Sequence, residues 1–195
     1  MSDIKTEDVK ALRIETGVSI MQCKKALEEA EGDAEKAKVI LQRKSKEAAA
    51  KKSERELAAG VVQAYIHNTN TVGAIVELSC ETDFVANNEE FKQLAYDIAM
   101  HITAENPQYI KKEEIPAEER TQVEEAIKPE LEGTPTEKHE QIMQGKLDAH
   151  FKGSVLMEQP FVKNPDQTIG NLVEAAVQKF GENIDVTRFT RFSIK

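Results

Sequence analysis

The chain has 195 residues and a mass of 21.8 kDa, with Lys+Arg 26 against Asp+Glu 35, a formal net charge of -9 and a pI near 5.1. A chain of this length buries about 70% of its unfolded surface, so one or two domains form without staples; Cys23 and Cys80 alone supply neither a disulfide framework nor a four-ligand zinc site. No apolar run approaches the ~20 residues of a membrane-spanning helix, the opening Met1-Ser2-Asp3-Ile4-Lys5 lacks a signal-peptide pattern, and the acidic total opposes bulk attraction to nucleic acid. These features describe a cytoplasmic protein whose partner is another protein, with no membrane and no direct nucleic acid.

The first fifty residues read as three short helices. Thr6 is placed to cap the first, Val9 and Leu12 are apolar three apart, and Gly17 stands where a left-handed C-terminal cap falls. Ser19 with Gln22 forms a capping box for the second helix, whose apolar face is Cys23, Ala26, Leu27 and Ala30 before Gly32. Asp33 caps the third, with Ala37, Ile40 and Leu41 on its inner side. Residues 1–46 therefore read as a three-helix docking domain, and 47–59, rich in Ala, Lys and Glu, as a basic helical or mobile linker.

At Gly60 the character changes. Val61–His67 and Val72–Glu81 are rich in Val, Ile and Tyr and flank Asn68-Thr69-Asn70-Thr71, a β-hairpin signal; the Ala74-Ile75-Val76 run predicts a strand buried on both sides. Asn87 with Glu90 forms a further capping box ahead of Phe91, Leu94, Ala95, Ile98, Ala99 and Ile102, the clearest helical stripe in the chain. Two weaker helical patterns follow, Ala117–Ile127 and Thr136–Phe151, which predict an antiparallel pair over the core. Then come a strand over Val155–Phe161, a helix over Thr168–Phe180 and a last strand, Ile184–Ile194. In that strand Ile184, Val186, Thr190, Phe192 and Ile194 share one face and Phe189 the other, so both sides need covering, by the chain or by a second copy. The fold class is α+β: a three-helix bundle, then a core at 60–195 of antiparallel strands and packed helices, with an acidic helical segment at about 112–152.

The charge is uneven. Residues 1–60 carry 13 basic and 12 acidic side chains, whereas 61–152 carry 8 and 18. Such runs are most simply solvated helix surface. None of His67, His101, His139 and His150 has the spacing of a metal motif, and phosphate-binding glycine loops and a nucleophile elbow are absent. Carboxylates beside Cys80 oppose a reactive thiolate. The residues thus suggest no catalytic group, no metal site and no cofactor. One segment stands apart: Glu81-Thr82-Asp83-Phe84-Val85-Ala86-Asn87 puts an aromatic where a loop is normally polar. Phe84 either folds into the core or anchors in a partner's pocket as a hot spot.

Two stretches resemble the elongation factor Ts family. They are Leu12-Arg13-Ile14-Glu15-Thr16-Gly17 continuing to Cys23-Lys24-Lys25-Ala26-Leu27, and Glu77-Leu78-Ser79-Cys80-Glu81-Thr82-Asp83-Phe84-Val85-Ala86-Asn87; Glu113-Glu114-Ile115-Pro116 and Glu158-Gln159-Pro160-Phe161-Val162 extend the similarity. Gln22, Ser79 and Ile20 stand where the family usually has Asp, Asn and Met. The resemblance implies a ubiquitin-associated-like N-terminal bundle and a guanine-nucleotide exchange factor for elongation factor Tu. It implies docking on the GTPase domain of Tu through Arg13, Ile20, Met21 and Lys24, and entry of Thr82, Asp83, Phe84 and Val85 near its magnesium site. Loss of magnesium weakens the electrostatic hold on the nucleotide phosphates. A homodimer through the C-terminal region, as in some short family members, is also implied. The rival readings are a passive helical adaptor or scaffold and a metal-dependent enzyme using Cys or His.

Overall fold

The computed structural model describes residues 4–131, 135 and 138–194; Met1-Ser2-Asp3, Glu132 and the expected helix start at Thr136 lie outside them. In chain order the helices are α1 (Thr6–Thr16), α2 (Ile20–Glu29), α3 (Ala34–Ala50), α4 (Asp83–Ala86), α5 (Glu89–Glu105), α6 (Ala117–Ile127), α7 (His139–Phe151) and α8 (Ile169–Phe180). The strands are β1 (Ala59–Ile66), β2 (Val72–Cys80), β3 (Pro160–Phe161), β4 (Asn164–Thr168) and β5 (Ile184–Ser193). The protein is an α+β fold.

In the helical unit Val9, Leu12, Cys23, Ala26, Leu27, Ala37 and Leu41 form one buried cluster. Gly17 closes α1 at φ 69°, a left-handed conformation that glycine adopts without Cβ strain, and its N–H donates to the Arg13 carbonyl. Lys5, not Thr6, is the extended residue before α1. Ser19 accepts from the Gln22 N–H, but the Gln22 side-chain oxygen accepts from the Ser19 hydroxyl rather than from its backbone N–H, so only half of the capping box forms. Asp33 accepts from the N–H groups of Glu35 and Lys36. Helix α3 crosses residue 46 unbroken and packs along α8, with the Ser45 hydroxyl donating to Gln178.

β1, β2 and β5 make a three-stranded antiparallel sheet in the order β1-β2-β5. One face is the core. Ala74, Val76, Leu78 and Cys80 of β2 pack with Phe91, Ala95, Ile98, Ala99 and Ile102 of α5 and with Ile169, Val173 and Val177 of α8. The other face is open over its middle: Ile75 is 42% exposed, so the Ala74-Ile75-Val76 run is buried on one side only. The face expected for β5 also differs. The register jumps between Glu77↔Arg188 and Leu78↔Val186, leaving Thr187 as an extra residue that hydrogen-bonds Ser79. That bulge reverses the alternation: Ile184, Val186 and Phe189 face the core, while Thr190 and Phe192 face out.

Two further differences are local. The N-cap of α5 is Asn88, which accepts from the Glu90 N–H, whereas Asn87 closes α4. The segment expected as a strand from Val155 makes only an isolated parallel bridge, Val155 with Tyr109, and then turns as a 3-10 helix over Leu156–Glu158 before the short β3, with the Glu158 and Gln159 N–H groups donating back to Val155 and Leu156. In the acidic middle, α6 and α7 gather Ile127, Leu147, Phe151 and Val155 into a satellite cluster separate from the main core.

Candidate functional site

The segment between β2 and α5 is the feature with the most unusual exposure. The β2–β5 ladder ends at Cys80↔Ile184. Beyond it the backbone N–H groups of half-buried Glu81 and exposed Thr82 have no strand partner, and a half-buried donor needs one. The Glu182 carboxylate takes that place: one oxygen accepts from Glu81 N–H (3.1 Å) and Thr82 N–H (3.0 Å), the other from the Thr82 hydroxyl (2.5 Å). Next to it, Asn183 N–H donates to the Glu81 carboxylate (2.5 Å), and the Asn183 amide donates to the carbonyls of Ser53 (3.4 Å) and Arg55 (3.0 Å). Arg55 closes the set with an ion pair to Glu81 at 3.3 Å. The Asn183 contact and the Arg55 guanidinium hold the Glu81 carboxyl below its ordinary value.

On this base the chain makes one turn of helix. Ala86 N–H donates to the Thr82 carbonyl and Asn87 N–H to that of Asp83. Asp83 is exposed and its carboxylate makes no hydrogen bond or ion pair among the described residues, and Phe84 is 85% exposed. Val85, grouped by sequence with the partner-contacting residues, is buried in the main core and anchors the turn from below. Cys80 is buried beneath, its thiol donating to the Thr82 carbonyl. Burial and then the nearby Glu182 charge push that thiol up, so it is an inert packing group. Cys23 is likewise buried and raised by desolvation.

The other four residues picked from sequence lie on the helical unit, apart from this tip. Arg13 is exposed on α1; Ile20 and Met21 are 51% and 68% exposed at the start of α2, and Lys24 sits one turn on, pairing with Glu28 at 3.9 Å. Ile14, 85% exposed on α1, joins this set of solvent-facing apolar groups. Its signal in the sequence is an apolar residue out of phase with Val9 and Leu12. Glu182 and Asn183 left no such signal: they read as ordinary turn residues after Gly181, and the Thr82 contact is 100 positions away in the chain. Among the described residues no group of three or more His, Cys, Asp and Glu is arranged to hold a metal ion, and no helix is long and apolar enough to cross a membrane.

A family model described as Elongation factor TS matches residues 24–195. Elongation factor Ts of Thermodesulfovibrio yellowstonii is 48% identical over 192 residues, covering 98% of this chain and 96% of that protein. Elongation factor Ts of Carboxydothermus hydrogenoformans is 47% identical over 193 residues, 98% of this chain and 89% of that one. That of Herpetosiphon aurantiacus is 45% identical over 193 residues, 98% of each. The protein is accordingly a translation elongation factor. Within that class, the chain belongs to the elongation factor Ts family.

Proposed function

We propose that the protein binds elongation factor Tu in its GDP-bound state, in the cytoplasm, and promotes exchange of GDP for GTP by disturbing the magnesium and phosphate site of that GTPase. The observation that carries this reading is Phe84, 85% exposed beside the exposed Asp83 on a backbone turn anchored by Val85. Leaving a phenylalanine in water forgoes about 1.5–3 kcal/mol of burial, which a partner's pocket recovers. Phe84 then acts as a wedge between partner side chains, and Asp83 brings a negative charge against groups that hold the magnesium ion of Tu. Residues 1–46 serve as the docking unit, with Arg13, Ile20, Met21 and Lys24 against the GTPase domain. No covalent step and no cofactor of this protein's own is required.

Binding of this kind is reciprocal: a factor that weakens GDP on Tu is itself weakened on Tu by GDP, by the same factor. Titrating labelled protein with nucleotide-free Tu and with Tu saturated by GDP tests this. Much tighter binding to nucleotide-free Tu is expected; equal affinities would instead fit a passive adaptor.

The open sheet face supports a homodimer. Val62, Ile66, Ile75 and Phe192 are 65%, 61%, 42% and 65% exposed there, and the Glu77–Arg188 pair on the same face cancels its charge. A two-fold axis sets such a neutral, apolar face against itself without like-charge conflict. Sedimentation should give a dimer that Phe192→Lys converts to monomer; a monomer at high concentration before any substitution contradicts it.

A further inference from the structure

We propose that Glu182 is a positioning residue for the 82–85 tip: from the turn between α8 and β5 it sets the direction in which Asp83 and Phe84 project. The proposal rests on the exchange reading for its functional consequence and on the hydrogen bonds alone for its structural one. Where the β2–β5 ladder stops, a single carboxylate replaces it and accepts from two successive backbone N–H groups and a hydroxyl. The charged acceptor makes these bonds stronger than neutral ones. Thr82 is extended at φ -131° and is the N-cap of α4, so its orientation fixes the axis of the turn that carries Phe84. Its own side chain does not cap that turn; the hydroxyl is committed to Glu182 instead.

The acceptor is itself fixed. Gly181 closes α8 at φ 78° with its N–H on the Val177 carbonyl, which starts the reversal into β5. Asn183, 7% exposed, is pinned to Ser53, Arg55 and the Glu81 carboxylate. Glu182 stands between these two fixed neighbours. Force on Phe84 from a partner is therefore carried through Thr82 into the turn and the sheet, rather than spent on bending a loop.

The test combines amide exchange with nucleotide release. In Glu182→Ala the amides of Glu81 and Thr82 should exchange about tenfold faster or more, with the α5 amides unchanged. The maximal rate of GDP release from Tu should fall about tenfold. Glu182→Gln keeps an acceptor oxygen for the backbone and should recover most of both. In an Asp83→Ala/Phe84→Ala background, Glu182→Ala should cost nothing further, because both side chains that the tip projects are then gone and nothing is left to position. Should Glu182→Ala fail to fold, Glu182→Asp, whose shorter side chain cannot reach Thr82 from the same turn, takes its place with the same expectations. Unchanged amide exchange at Glu81 and Thr82, full stimulation by the alanine variant, or equal losses in both backgrounds would overturn the proposal. If the unsubstituted protein itself fails to release GDP, the exchange reading falls and the amide measurement alone decides the positioning role.

Discussion

Phe84 and Phe91 stand on adjacent helices, yet one is 85% exposed and the other fully buried. Phe91 opens the apolar stripe of α5 and meets Phe180 of α8 edge-on, 6.0 Å between ring centres. Phe84 belongs to a four-residue turn whose only inward residues are Val85 and Ala86. Helix α5 is held by apolar area, whereas the tip has only Val85 and Ala86 in the core and is held at its base by a carboxylate, a hydroxyl and backbone amides. The contrast explains how an aromatic can be presented to a partner on fixed backbone: polar bonds at the base leave the apolar group free of any structural duty.

If that division is right, removing each aromatic should give opposite results. Phe91→Ala deletes a buried ring and should cost about 3–5 kcal/mol of stability, measured by urea unfolding; a loss below about 1 kcal/mol would mean that α5 is not held by its stripe.

Acid should separate the two regions by a smaller margin. His101, buried on α5, donates from Nε2 to Gln159 and accepts the Val162 N–H at Nδ1, a neutral arrangement. Burial lowers its pKa from 6.5 against the opposing Gln159 bond and Glu105 charge. With the folded value below the unfolded one, the unfolded chain takes the proton first. The contribution is complete above pH 6.5 and declines as pH falls from there toward the folded value. Glu81 at the tip is lowered from 4.5, so its contribution persists above 4.5 and fades only as pH falls through its folded value. Amide protection at pH 5.5 should accordingly drop at Val162 and hold at Asn183; the reverse order would break the comparison.

The smallest effect should be Phe84→Ala on stability, within about 0.5 kcal/mol because the ring is in solvent. Unfolding of that variant would return Phe84 to the core and collapse the distinction between the two phenylalanines.

Much of α5 was legible in the sequence, because a long stripe at helical spacing specifies one buried face. The hairpin of β1 and β2 was legible for the same reason, through its turn residues and β-branched runs. β5 was not, since the bulge at Thr187 depends on pairing with β2 and reverses an alternation that is correct only up to Val186. The capping of α5 shifted by one residue because Asn87 and Asn88 are chemically equal and only the preceding turn, α4, decides between them. At the tip the exposed pair Asp83 and Phe84 stood out as an aromatic in a loop, but the sequence grouped Val85 with them although it faces the core. The base of the tip was invisible, because Glu182 and Asn183 acquire their partners only when β5 closes beside β2.

The central claim is that a fixed, exposed aromatic beside a carboxylate drives nucleotide release. It is tested most directly by rapid mixing of elongation factor Tu carrying fluorescent GDP with this protein at micromolar concentration, alongside Phe84→Ala. The unsubstituted protein should accelerate GDP release, and the variant, folded and able to bind Tu, should accelerate it much less. No acceleration by the unsubstituted protein, or equal acceleration by both, would contradict the account.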